Sequence, residues 1–154
     1  MIQIKSSNID HLGIVSGVCD EIELVETINK IIPKNTSMKL SIGARIKAMV
    51  LNGLGFTGRA LYLTPQFFVN RPVGLLIGEN ATADDLNDDS LGRALDALYQ
   101  NNPELTFSAI AKNAIRIYNV NTSKRQLDTT SVSVEGEYKD EDGIGIMRFG
   151  HSKD

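Results

Sequence analysis

The sequence predicts a mainly α protein, built from several helices, that ends in a β-hairpin. Over most of the first 120 residues, apolar side chains recur every three or four positions, which is the period of a helix that buries one face. After Asn119 the pattern changes to alternating β-branched residues, which is typical of strands. We therefore predict a helical N-terminal domain over residues 1–120 and the incomplete start of a second domain over residues 121–154.

The first helical segment runs from Leu12 to Ile32, because its apolar residues follow one another at steps of three and four. Pro33 ends this segment, since proline cannot continue a helix. A break near Glu23 is expected to divide it into two short helices. Ser41 is a predicted N-cap of the next helix, because its hydroxyl can accept a hydrogen bond from a free backbone N–H.

Glycines and prolines then interrupt the middle of the chain. Gly53, Gly55 and Gly58 predict a flexible connection. Pro65 and Pro72 permit only short helices, each with its proline near the start.

Two longer helices complete the predicted helical domain, and both keep the helical spacing of apolar residues. Asp88 or Asp89 is expected to cap the first of them. Asn102 followed by Pro103 is typical of a helix start and predicts the beginning of the second.

Two strand candidates, residues 127–134 and 144–150, flank a polar segment with two glycines and so predict an antiparallel hairpin. Asp128 is an acid within the first of these strands. A carboxylate among apolar residues is costly to desolvate unless a charged partner meets it, and Mg²⁺, which prefers oxygen ligands, is one such partner. An acid at a strand end or sheet edge is the alternative interpretation of Asp128 and the commoner case.

Composition excludes several classes of protein. The single cysteine, Cys19, excludes an intramolecular disulfide framework and a multi-cysteine zinc site. No apolar run approaches the roughly 20 residues that cross a bilayer, and the N-terminus lacks the basic-then-apolar layout of a signal peptide. We therefore expect a soluble, cytoplasmic protein that has no membrane partner.

Charge is segregated along the chain, although the net charge is only −3. A basic segment, residues 27–78, has no acidic residue and carries seven cations: Lys30, Lys34, Lys39, Arg45, Lys47, Arg59 and Arg71. In the acidic segment that follows, residues 79–104, seven acids oppose only Arg93. A basic block in an acidic protein is typical of a surface that faces a polyanion. The alternative is that folding pairs the two segments into ordinary surface ion pairs.

Five blocks of sequence resemble, in family order, the N-terminal region of a bacterial insertion-sequence DDE transposase. They are residues 9–15, 47–56, 61–68, 86–96 and 127–138. The resemblance implies a helical DNA-binding region followed by a ribonuclease-H-like core, of which the predicted hairpin would be the start. In that core three acids bind Mg²⁺ for DNA strand cleavage and transfer, and Asp128 corresponds to the first of them, as catalytic residue and metal ligand.

The implied partner is the double-stranded DNA of transposon ends. The helix from Ser41 to Asn52 and the segment after the glycines would form a helix-turn-helix. Four cations would lie near DNA phosphates: Lys39, Arg45, Lys47 and Arg59. The alternative places Arg45 and Lys47 on the solvent side of a core helix. The second and third acids of the family would lie beyond Asp154, so we expect the polypeptide, as a truncated transposase, to be catalytically inactive alone.

A protein-interaction module is the alternative function. The helical region would then mediate transposase self-association as a homo-oligomer, or inhibit the full-length protein. Tyr62, Phe67 and Phe68 are candidate surface anchors for such contacts. Their burial in the core is the other interpretation of this apolar cluster.

Overall fold

A computed structural model of the chain describes residues 6–35, 37–55 and 60–124. Within these ranges the chain is mainly helical, with seven α-helices and two short 3₁₀ helices, which confirms the mainly α prediction. The described residues up to Val120 belong to one compact unit. The predicted β-hairpin lies outside the described residues, and the division into a DNA-binding and a catalytic domain stays a prediction.

The elements follow one another as a run of helices with short connections. The α-helices are α1 (Leu12–Glu21), α2 (Leu24–Ile31), α3 (Ile42–Gly53), α4 (Thr64–Phe68), α5 (Val73–Ile77), α6 (Asp88–Gln100) and α7 (Pro103–Ile117), and the 3₁₀ helices span Leu61–Leu63 and Ala83–Leu86.

Local sequence signals set the ends of the first three helices. Glu23 has a left-handed backbone, with φ at 55°, and this separates α1 from α2 at the predicted break. The helix α2 ends at Ile31, two residues before Pro33. Ser41 caps α3 as predicted, since its hydroxyl accepts a hydrogen bond from the Ala44 backbone N–H at 3.2 Å.

The cap of α6 corrects the sequence prediction. Asn87, and neither Asp88 nor Asp89, is the N-cap, because its side-chain oxygen accepts from the Ser90 N–H at 2.9 Å. The two aspartates lie in the first turn instead, where their charge is favourable next to the positive end of the helix dipole. Asn102 caps α7 as expected, accepting from the Leu105 N–H at 3.0 Å.

The helix α3 lies at the centre of the unit and contacts α1, α2, α4, α5 and α6. Apolar residues on its two sides contribute to separate core clusters, one that contains Leu51 and Phe68 and one that contains Ile28 and Ile42. Close approach of α2 requires Gly43, because a Cβ atom there would lie 2.5 Å from the Val25 carbonyl oxygen. The consequence is a helix with almost no solvent-facing side.

The helix α7 packs against α2 and against the second cluster, to which it contributes Ile110. Asn113 donates to the Thr27 hydroxyl at 3.0 Å and to the Ile22 carbonyl at 3.2 Å. One turn later, Arg116 lies 4.0 Å from Glu23, the residue between α1 and α2. The outer side of α7 remains exposed.

Candidate functional site

The structure pairs the basic segment with the acidic segment at two points. Lys34 Nζ lies 2.9 Å from a Glu79 carboxylate oxygen. Lys39 Nζ donates to both carboxylate oxygens of Asp85, at 2.8 and 2.7 Å. The alternative interpretation of the charge pattern, pairing on folding, therefore applies to these two cations.

Glu79 ties the start of α3 to the acidic segment. Its carboxylate accepts hydrogen bonds from the backbone N–H and the hydroxyl of Ser41, as well as from Lys34. Partial burial acts to raise the pKa of Glu79, but the hydrogen bonds from Ser41 and Lys34 outweigh it and leave the pKa below its usual value. The negative charge also lies near the positive end of the α3 dipole, which favours it.

Asp85 is held in a similar way. It accepts from the backbone N–H of Thr82 at 2.8 Å and from the Thr82 hydroxyl, which completes a capping box. Burial acts to raise its pKa, yet the hydrogen bonds from Lys39 and Thr82 lower it overall. Asp85 is therefore ionised and fixed in place beside Lys39.

Lys39 keeps its ammonium group at the surface. Its side chain is 58% exposed, and its ion pair with Asp85 is a surface pair. Such pairs contribute about 0–1 kcal/mol, and the exposed part of the Lys39 side chain can meet a second anion while Asp85 stays in place. Lys39 is thus available to a polyanion.

Lys47 and Arg45 are both buried, which differs from both sequence-based interpretations, a position near DNA phosphates and a position on the solvent side of α3. Lys47 is 2% exposed, and its Nζ donates to Asp20 Oδ1 at 2.6 Å. Arg45 is 8% exposed. The reason is that α1, α2, α5 and α6 surround α3, an arrangement that the spacing of residues within one helix does not reveal.

Arg45 has no carboxylate partner within 4.0 Å among the described residues. Its Nη1 donates to the Ser90 carbonyl oxygen at 3.3 Å, and its Nε is buried without a hydrogen-bond acceptor. Burial lowers the pKa of the guanidinium below its usual value, and nearby Arg93 lowers it further, whereas Glu79 acts in the opposite direction.

The other predicted site residues, Arg59 and Asp128, lie outside the described residues. The predicted helix-turn-helix is not a pair of long helices: after the glycines come the 3₁₀ helix Leu61–Leu63 and α4, which has five residues. Phe67 and Phe68 are buried in the core, whereas Tyr62 is 63% exposed.

Sequence reasoning missed the partners of the buried and paired cations. Asp20 lies 27 residues before Lys47, and Glu79 lies 45 residues after Lys34. Arg93 was identified only as the lone cation of the acidic segment, and its electrostatic effect on Arg45 gave no local signal. In each case the partner comes from a different helix or loop, so only the tertiary fold brings the two together.

Two further findings hold for the described ranges alone. No group of three His, Cys, Asp or Glu side chains there is placed to hold a metal ion. None of the helices there combines the length and apolar character that crossing a bilayer requires.

Comparison with known proteins gives one match. A family model described as "Domain of unknown function (DUF4277)" matches residues 4–112, a range that includes α1 to α6 and the first part of α7. Neither a curated protein nor a solved structure matches the chain.

Proposed function

The chain belongs to the DUF4277 family through residues 4–112, and we propose that this helical region is the DNA-binding part of a DDE-type transposase that acts on transposon ends. The observation that carries the proposal is the order of the five sequence blocks. Four of them, from residues 9–15 to residues 86–96, fall within the region that matches the family. A helical domain in this position is also what the resemblance implies.

The catalytic part of the proposal concerns Asp128, which would bind Mg²⁺ together with two further acids of a complete ribonuclease-H-like core. The metal ions would stabilise the attacking and leaving oxygens at a DNA phosphodiester.

Lys39 and Arg59 are the direct phosphate contacts in this proposal. The 58% exposure of the Lys39 side chain supports this role, because the lysine can meet a phosphate from solvent although it is also paired with Asp85. Lys47 instead is buried and has its charge paired with Asp20, so its main contribution is to the position of α3.

Binding of duplex DNA across a salt series tests the proposal. We expect the full chain to bind a labelled terminal inverted-repeat duplex, with log K falling linearly as log salt concentration rises. The variant Lys39→Gln should reduce the steepness of that line by about 0.9, because one phosphate contact fewer releases about one counterion fewer. Fluorescence anisotropy measures both quantities.

The matched control is Lys112→Gln, which removes one exposed cation of α7, outside the basic segment. Its salt dependence should equal that of the unmodified chain. Absence of binding, or a salt-independent affinity, would contradict DNA binding. An equal effect of the two variants would contradict the role of Lys39.

Self-association is a second candidate, and a specific observation favours it. Large apolar side chains of α6 and α7 are exposed, foremost Tyr99 at 81% and Phe107 at 72%. The helix α7 has Glu104 in its first turn and Arg116 in its last, so two copies of α7 packed antiparallel would place unlike charges together. The occupant of this surface would be a second copy of the chain.

A further inference from the structure

We propose that Arg45 and Arg93 form a binding site for a phosphate group where α3 contacts α6. Inorganic phosphate and the phosphate of a nucleic-acid backbone share the required chemistry, a tetrahedral oxyanion. With backbone phosphate as the ligand, the site deepens the proposed DNA-binding function; with free phosphate, it stands independently of that function.

Arg45 has N–H donors that no described acceptor uses. A guanidinium has five N–H donors, and the described residues accept one hydrogen bond, from Nη1 to the Ser90 carbonyl. The Nε–H is buried and has no acceptor. Because Arg45 is 8% exposed, its charge is largely removed from water without a paired anion, which is an unfavourable state. A bound anion would supply the counter-charge and hydrogen-bond acceptors that the guanidinium of Arg45 lacks.

Arg93 lies in the same part of α6 as the carbonyl oxygen that Arg45 contacts. Arg93 lies three residues after Ser90 in α6, and residues at this spacing lie on the same side of a helix. Arg45 donates to the backbone carbonyl oxygen of Ser90, which points along α6 toward the turn that contains Arg93. Burial is the main cause that lowers the pKa of Arg45, and the charge of Arg93 lowers it further. Arg93 is exposed, so an anion in solvent can contact its guanidinium directly.

No acid among the described residues forms an ion pair with Arg45. Glu79 is close enough to affect Arg45 electrostatically, but its oxygens accept hydrogen bonds from Ser41 and Lys34. Asp89 and Asp96 lie one turn before and one turn after Arg93 in α6, and neither lies within 4.0 Å of a described guanidinium.

The geometry of the arginine side chain favours a phosphate group as the ligand. Its planar fork donates two parallel hydrogen bonds to two oxygens of one oxyanion, and these charge-assisted bonds are stronger than neutral ones. Two arginines together also balance the double negative charge that inorganic phosphate carries near neutral pH.

Isothermal titration of the full chain with inorganic phosphate, at constant ionic strength, tests the site. We expect saturable binding, which Arg93→Gln weakens about tenfold by removing a charge-assisted interaction. Arg45→Lys should weaken it as well, because it keeps the charge but loses the fork. The matched control, Lys112→Gln, removes one exposed cation elsewhere and should leave the affinity unchanged.

Absence of saturable binding, or equal affinities of Arg93→Gln and Lys112→Gln, would overturn the proposal. Arg45 is buried, so Arg45→Lys could unfold the chain; circular dichroism detects this, and the exposed Arg93 then decides the result alone.

A parallel titration with the inverted-repeat duplex identifies the source of the phosphate. Weaker DNA binding by Arg93→Gln would assign the site to the nucleic-acid backbone. DNA binding that does not change while phosphate binding is lost would assign it to free phosphate. Phosphate binding without any DNA binding would leave this site supported and would reject the proposed function.

Discussion

Lys47 shows how one residue can carry a charge inside this protein. Its side chain is almost fully buried, and the contact with Asp20 is its one described hydrogen bond. Asp20 itself is 62% exposed and remains hydrated, so most of the desolvation penalty of the pair comes from burying the lysine ammonium. The pair joins the end of α1 to the middle of α3.

Removal of Asp20 should therefore destabilise the fold more than removal of Lys47. Asp20→Ala leaves a buried ammonium without its partner, and we expect a loss of about 1–3 kcal/mol in the free energy of unfolding. Lys47→Met fills a similar volume without a charge and should cost less. Urea denaturation measures both changes.

The control for this pair is Asp96→Ala, which removes an exposed acid that has no described ion pair and should stay within about 0.5 kcal/mol of the unmodified chain. A larger loss from Lys47→Met than from Asp20→Ala would contradict the explanation.

At the scale of the elements, the start of α3 combines a predictable feature with an unpredictable one. Ser41 follows the common rule for helix caps and was expected from the sequence. The hydrogen bond from Ser41 to the Glu79 carboxylate was not expected, because Glu79 lies 38 residues further along the chain. The charge pattern shows which segments are basic or acidic, but it does not show which residues contact one another. The same holds for Lys39 and Asp85.

The carboxylates of Glu79 and Asp85 make the stability of the fold depend on pH. The pKa values of Glu79 and Asp85 are lowered in the folded state, so the unfolded chain binds protons more readily than the folded chain. Their stabilising contribution is fully present above the unfolded pKa values, about 4 for both groups, and is lost as pH falls through the folded values. We expect the free energy of unfolding to decline below about pH 5, as measured by urea denaturation at several pH values.

Glu79→Gln isolates one part of this effect. It should cost about 1–2 kcal/mol near neutral pH, because charge-assisted hydrogen bonds to Ser41 and Lys34 are weakened, and it should flatten the acid limb of the profile. Glu104→Gln, at an exposed site in α7, should reproduce the unmodified profile. Identical profiles for all three proteins would contradict the role of Glu79.

At the scale of the whole molecule, the positions of helices in the sequence were predictable, but the burial of α3 by the elements around it was not. Apolar periodicity and caps located α1, α2, α3 and α7 because these signals act within a few residues. Burial of Arg45 and Lys47 depends on how five other elements pack around α3, and that information is spread over the chain. Phe67 and Phe68 show the same limit, since the sequence alone permitted both a surface and a core position.

The exposed side of α7 leads to a prediction about the molecule in solution. Phe107 is 72% exposed, so removing it should change little within the fold but should weaken an interface between two copies. We expect the full chain to form dimers at high concentration in gel filtration with light scattering, and Phe107→Ser to shift the population toward monomer. Leu75→Ser is the matched control, because Leu75 on α5 is 71% exposed and lies outside α7. A chain that stays monomeric at every concentration, or an equal shift in both variants, would reject self-association through α7.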